Sequence, residues 1–366
     1  MQDIGLKHGL CFAKATVASF GEIGAKLPSF IRAFPSIIFF GTNAYVSSQA
    51  LNELFKIVFG FDNINIALAL NIILLVLLTM LGLKGIERFT KIVAPLLLII
   101  GIYLAYLLFD SYQVSLGELM NMGGAEAGSK SWLYGISVAI GIFIMCSMGN
   151  NDYTRDCVVD TKQKTWWGMN KNYTISTLIG IIPFLTFFCL LGNCAVVLSG
   201  RTDVIVVFSE LLMQKSKALA VIVDLFIVVA QFSTNTSANL MPSAYVACDF
   251  IPKLKFKAGI ILVAVLAVIC QPWSYYDYFD FVMNLFTVFT GPAISIMLVD
   301  YFVFRKRNYD VPELYKKKGK YYYWHGVNIV AILVYIISGL IGYFVDFDNS
   351  FFCLLYTSDA ADDLTR

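Results

Sequence analysis

The sequence predicts an all-α, polytopic membrane protein with nine transmembrane helices, and three observations lead there. Of its 366 residues, 58% are hydrophobic and only 14% charged, where an ordinary soluble domain carries about 25% charged residues. Stretches of about twenty apolar residues recur between short charged loops, the length that crosses ~30 Å of hydrocarbon at ~1.5 Å per residue. The basic residues are also shared very unequally between the alternate loops that such spans create.

The spans fall at 32–54, 64–83, 91–109, 131–149, 174–199, 218–242, 257–272, 279–303 and 325–345, the seventh being short. Sorting the 27 Lys and Arg by loop places twenty-one on one side of the membrane, among them Lys84, Arg88 and Lys91 after the second span and the run Lys316, Lys317, Lys318 and Lys320 before the ninth. Lys56, Lys130, Arg201, Lys215 and Lys217 fall on the other side, and Arg366 lies beyond the last span. A missed or spurious span would scramble this division, so it supports the count independently of hydropathy, and the positive-inside rule makes the basic side cytoplasmic. Residues 1–31 are then a cytoplasmic N-terminal segment and 32–345 the transmembrane domain. Residues 346–366 are expected to be a truncated or non-native tail, because the polar stretch after Leu355 bears no relation to what precedes it. The expected location is the plasma (cytoplasmic) membrane.

The composition excludes several functions. A net charge of +2 is too small to suggest a nucleic-acid partner, and the two histidines, His8 and His325, are too far apart in sequence to form a local metal site. The eight cysteines contain no CxxC pair and lie mostly in apolar runs, where a thiol acts as a small hydrophobe. No carboxylate pair, metal cluster or nucleophile–base pair falls at membrane depth, so an enzyme is not expected, nor any cofactor.

Side-chain polarity is wasted against lipid, so polar clusters inside spans mark helix contacts or a watered pathway. In the first span Tyr45 and Gln49 are four residues apart and share a face, an aromatic plate beside a carboxamide, although packing explains the spacing better on that evidence alone. The fourth span holds Gly141-Ile142-Phe143, whose ring by itself reads as core. The sixth is unlike the others, with six polar residues among the seven from Ser233 to Asn239. At about 100° per residue, Ala230, Ser233, Thr234 and Ser237 take one face while Asn235 and Asn239 lie near the opposite one. Adjacent hydroxyls and a carbonyl supply hard oxygen ligands for a small cation, and the Asn239 amide can donate and accept toward a second ligand. Asp224 in the same span costs ~2.5 to 3.5 kcal/mol at the centre of a lipid-exposed helix, so it is expected to face protein or water. In the eighth span Gly291-Pro292 removes a backbone donor and loosens the helix.

Several of these segments resemble the nucleobase:cation symporter-1 family. They are Ala18-Ser19-Phe20-Gly21, Asp152-Tyr153-Thr154-Arg155, Gly291-Pro292 through Asp300-Tyr301-Phe302 with Arg305-Lys306-Arg307, Gly326-Val327-Asn328 and, most specifically, the run from Gln231 to Leu240. The resemblance extends from about Gly9 to Phe344 and implies a twelve-helix fold built on an inverted five-plus-five repeat. The nine spans correspond to the family's third through eleventh, without its first two or its last. Ala230 through its carbonyl and Ser233 and Thr234 through their hydroxyls fall on the family's sodium positions, and Asn239 on its substrate amide contact. Aligning the glycine of the first span puts Tyr45 and Gln49 on the stacking and hydrogen-bonding positions. Counting back from Asp152 puts Phe143 on the second stacking position, preceded by Ile142.

The implied function is import of a planar nucleobase or cyclic ureide, such as allantoin, hydantoin, uracil, cytosine or a purine, by symport with sodium or a proton. The expected partners are that small molecule and the lipid bilayer, with the protein a monomer. An amino-acid carrier on the same repeat fold, or a channel or receptor, remains an alternative on the residues alone.

Overall fold

A computed structural model describes residues 1–81, 83–122, 144, 147–159, 163 and 165–344. Among them the chain is helical, with a single isolated bridge between Trp324 and Val327 as its only extended pairing. Two short helices open it, α1 (Gln2–His8) and α2 (Phe12–Phe20), followed by α3 (Lys26–Phe59), α4 (Ile64–Thr79), α5 (Leu83–Tyr112) and the short α6 (Leu116–Asn121). The remainder is α7 (Asn150–Thr154), α8 (Trp166–Ser199), α9 (Val204–Lys215), α10 (Lys217–Asn235), α11 (Met241–Phe250), α12 (Phe256–Cys270), α13 (Tyr276–Leu298), α14 (Val311–Leu314) and α15 (Ile329–Phe344).

Eight of the nine expected spans coincide with helices. The fourth, 131–149, lies almost wholly outside the described residues, as does the tail 346–366. Residues 91–112, 166–199, 217–250 and 256–274 are each long and apolar enough to cross a membrane alone, and α3 with α4 qualifies as a pair bent by 116°. At ~1.5 Å per residue the 34 residues of α3 cover ~51 Å. The ends of the helices have local causes. Gly60 closes α3 and Gly200 closes α8, both with positive φ, the conformation that lets a helix stop without a Cβ clash. The side chain of Asn63 accepts from the amides of Asn65 and Ile66 and so starts α4.

The ninth span begins later than expected, at Ile329 rather than 325. The preceding residues form a turn that docks on α2: the amides of Ile23 and Gly24 donate to the Gly326 carbonyl, and Asn328 donates through Nδ2 to Ser19 O while its Oδ1 accepts from the Ala331 amide. Asn328 is thus an N-cap, and a cap sets the helix start. The sixth span is one rod from Lys217 to Phe250 with a π-helical turn over Thr236–Leu240 inside it, where the Met241 amide reaches back five residues to the Thr236 carbonyl.

Helix α3 is the central post, touching α4, α9, α10, α11, α12 and α13. Four packing regions surround it among the described residues, one of them formed by Ala50, Leu51, Leu54, Ala67 and Val228 between α3, α4 and α10. Phe40, Leu75, Leu240 and Ile260 join α3, α4 and α12. Leu107, Leu191, Leu212 and Val223 join α5, α8, α9 and α10. At the basic end Ile4, Phe12, Phe20, Met297, Tyr301 and Tyr335 join α1, α2, the end of α13 and α15. Residues 1–31 are therefore helical and packed, and most of α2 is buried. Outward faces carry Ile99, Ile179, Ile269 and Val330, each more than 60% exposed, an arrangement suited to acyl chains and costly in water.

Candidate binding cavity beside the sixth span

Four residues of α3, Arg32, Ser36, Phe39 and Asn43, recur at helical spacing and form one wall of a cavity of about 190 Å³. Thr234, Ala238 and Asn239 of the sixth span form the facing wall, while Met148, Tyr153 and Thr290 close the remainder. The π turn matters here. In an uninterrupted α-helix Thr234 and Asn239 diverge by about 140°, whereas a turn closed by an i to i+5 hydrogen bond brings residues five apart toward one face. The sequence placed them on opposite faces; the widened turn brings both to the same cavity.

The sodium-position residues lie at the N-terminal edge of this turn. Ser233 Oγ donates to the Ala230 carbonyl at 2.9 Å, so two of the three expected oxygens are neighbours. Thr234 is exposed on the cavity side. Ser237 Oγ donates to the Ser233 carbonyl at 2.8 Å, and Tyr153 OH donates to the Ser237 carbonyl at 3.2 Å, tying α7 to the sixth span.

Tyr45 and Gln49 do not come to this cavity. Tyr45 sits about 150° around α3 from the Arg32–Asn43 stripe and stacks on Trp273, with ring centroids 6.1 Å apart and planes within 6°. Its face of α3 packs toward α4 and α12. Phe39 and Asn43 repeat the same aromatic–carboxamide spacing six residues earlier and do line the cavity. Residue spacing does not choose between the two pairs, because one helix offers both; the charge of Arg32 on the Phe39–Asn43 stripe is the sequence signal that marks that face. Ile142 and Phe143 lie outside the described residues.

Arg32 closes the basic end of the cavity, its guanidinium 2.7 Å from Asp152 and 4.8 Å above the Phe12 ring. Asp224 is fully buried, and its Oδ2 accepts from Ser209 of α9 at 2.7 Å while Oδ1 has no hydrogen-bond partner among the described residues. It therefore faces protein, away from this cavity. Below the cavity, Asp3 binds Arg307 through both oxygens at 2.8 Å and accepts from Tyr301 and Asn170. Burial pushes the Asp3 carboxyl up, but these donors outweigh it and hold its pKa below the ordinary carboxylate value.

A bundle of apolar helices surrounds a small, mostly apolar cavity with the Thr234 hydroxyl, the Phe39 ring and the Asn43 and Asn239 carboxamides on its walls, an arrangement that fits a membrane carrier. Residues 3–359 match the family model described as permease for cytosine/purines, uracil, thiamine and allantoin, and the chain belongs to that family. A hydantoin permease of Microbacterium maritypicum is 30% identical over 340 residues, covering 92% of this chain and 69% of the relative. An allantoin permease of Bacillus subtilis is 26% identical over 359 residues, covering 92% and 72%. Among solved structures, Mhp1, a nucleobase-cation-symport-1 family transporter in a closed conformation with bromovinylhydantoin bound, superimposes with a TM-score of 0.86 at 30% identity, over 93% of this chain and 75% of Mhp1. The inward-facing conformation of Mhp1 gives 0.83. The chain is an integral membrane protein with the fold of that transporter.

Proposed function

We propose that this protein is a secondary transporter that carries a planar nucleobase or cyclic ureide together with a cation, and that the guest occupies the cavity between α3 and the sixth span. One observation carries the reading: the Phe39 ring, the Asn43 and Asn239 carboxamides and the Thr234 hydroxyl converge on about 190 Å³. That space is below the range of drug-sized pockets and suits a small flat ring. Phe39 offers a π face for the ring, and the two amides offer donors and acceptors for its edge. Phe143, preceded by Ile142, is the proposed second stacking face. The relatives named for hydantoin and allantoin support a cyclic-ureide guest.

Ala230, Ser233 and Thr234 would hold the coupling ion. A carbonyl and two hydroxyls are uncharged hard oxygens, the donor type that a sodium ion accepts. The ion supplies coupling if it and the guest both bind one conformation better than the other, so that each raises the affinity of the other by the same factor. The basic end of the bundle would face the cytoplasm.

The deciding experiment is uptake of radiolabelled allantoin, hydantoin, uracil and cytosine into cells or proteoliposomes carrying the protein, with and without sodium. Saturable uptake of one of them is expected, lost in Asn239→Ala and less sodium-dependent in Thr234→Ala. Wild-type behaviour of both variants rules out the site; conductance without saturation indicates a channel.

A further inference from the structure

Asn239 is held by a second asparagine that does not line the cavity. Asn239 Nδ2 donates to Asn235 Oδ1 at 2.8 Å, and Asn235 Nδ2 donates in turn to the Phe40 carbonyl of α3 at 3.0 Å. Asn235 is completely buried, whereas Asn239 keeps a small exposed surface on the cavity wall.

The direction of this relay follows from its far end. A backbone carbonyl can only accept, so Phe40 obliges Asn235 to present its NH₂ group there and leaves the Asn235 oxygen pointing to Asn239. Only the nitrogen of Asn239 can answer that oxygen. Were Asn239 to flip, two amide oxygens would face each other in a buried place, which lowers the population of the flipped form on the order of ten- to a hundredfold. Asn43, on the opposite wall, has no hydrogen-bond partner among the described residues, and its amide can turn either way.

We propose that Asn235 is a positioning residue for substrate selection: through the Phe40 carbonyl it locks Asn239 with Oδ1 toward the cavity, so that this wall selects guests bearing an N–H at the contacting edge. Rings with a lone pair or an N-methyl group there are rejected. This rests on the reading that Asn239 faces the guest, and it goes beyond that reading by assigning the hydrogen-bond polarity and the residue that sets it. Phe40 directly follows Phe39, so a single turn of α3 supplies both the plate for the ring and the anchor for the polarity of its edge.

The test uses the full chain in proteoliposomes, with displacement of the radiolabelled heterocycle it takes up by ring N–H compounds and their singly N-methylated derivatives, for instance 5-substituted hydantoin with its N1-methyl and N3-methyl forms. The unaltered protein is expected to discriminate against methylation at one nitrogen by about tenfold, the weight of one hydrogen bond lost beside an unpaired buried acceptor. Asn235→Ala should reduce that ratio to about threefold or less. Asn235→Leu, nearly isosteric but with no polar atom to accept from Asn239, should do the same and serves where the alanine variant fails to insert, whereas Asn235→Asp, whose carboxylate oxygens still accept from Asn239 Nδ2, should keep the ratio. Asn235→Ser, whose hydroxyl can donate to Phe40 and accept from Asn239, should retain more of the ratio than the alanine or leucine variant. A merely structural role would weaken both compounds of a pair equally, so an unchanged ratio in Asn235→Ala or Asn235→Leu, with binding intact in the unaltered protein, overturns the relay alone. If the unaltered protein binds none of the heterocycles, the functional reading falls and the relay with it.

Discussion

Arg32 and Asp152 form an ion pair with 2.7 Å between Nη2 and Oδ2, where the two side chains are only 7% and 4% exposed. The other Asp152 oxygen accepts the Phe12 amide at 2.7 Å at the N-terminus of α2, where a negative charge is favoured by the helix dipole. One carboxylate thus joins α2, α3 and α7 beneath the cavity. Removing one member strands a buried charge, so Arg32→Ala or Asp152→Asn should each cost about 3–5 kcal/mol, whereas a paired apolar replacement should cost much less. Thermal unfolding of the detergent-solubilised single and double variants measures this, and strictly additive losses would show that the two residues do not act together.

Gly149 lies against the same guanidinium. A Cβ placed there would come within 2.0 Å of Arg32 Nη2 and 2.7 Å of its Cζ. Gly149→Ala should therefore displace Arg32 and reproduce much of the Arg32→Ala destabilisation without touching a charge. Combining it with Arg32→Ala should add little further loss. A Gly149→Ala variant with wild-type melting behaviour would refute the close packing.

Two aromatic–carboxamide pairs on α3 make opposite predictions. Phe39→Ala and Asn43→Ala should weaken heterocycle binding about tenfold each, in the range of an aromatic stack or a hydrogen bond to a guest. Tyr45→Ala should mainly lower stability, because it removes the partner of Trp273. Displacement assays on the four variants Phe39→Ala, Asn43→Ala, Tyr45→Ala and Gln49→Ala distinguish the faces; loss of binding confined to Tyr45 and Gln49 would move the guest to the other side of α3.

Acid should loosen the basic end in two stages. Burial, with Lys7 nearby, lowers the pKa of His8 below its ordinary 6.5, and the ring packs on Tyr301 and Tyr309. The unfolded chain then binds the proton first, so the His8 contribution is complete above pH 6.5 and is lost as pH falls through the folded value. Asp3, depressed below 3.8, gives a second loss at lower pH with the same sign. Melting curves between pH 8 and 4 should show the first stage in the unaltered chain and a flatter profile in His8→Phe. Equal slopes would dissociate His8 from it.

Much of this architecture was written in the linear order of residues. Runs of about twenty apolar side chains are confined to helices in a bilayer, because no other open structure satisfies its own backbone there, and eight of the expected spans are helices in the structure. The short α9 was not foreseen, since it buries Val207, Phe208, Leu211 and Leu212 within a stretch too brief to span. The late start of α15 was hidden too, because Asn328 acts as a cap only in the presence of α2.

By itself the sequence determined that the chain lives in a membrane, where its helices run, and that the polar stretch from Ser233 to Asn239 is its chemically distinctive segment. Tertiary structure decided which residues meet. Polar side chains occur all around α3, so their spacing does not reveal its orientation; the packing of α3 against its neighbours, Tyr45 on Trp273 among them, decides that Phe39 and Asn43 line the cavity. Likewise, one widened turn, invisible in residue spacing, brings Thr234 and Asn239 to one wall and lets a carbonyl of α3 set the direction of an amide two residues removed from it in the relay.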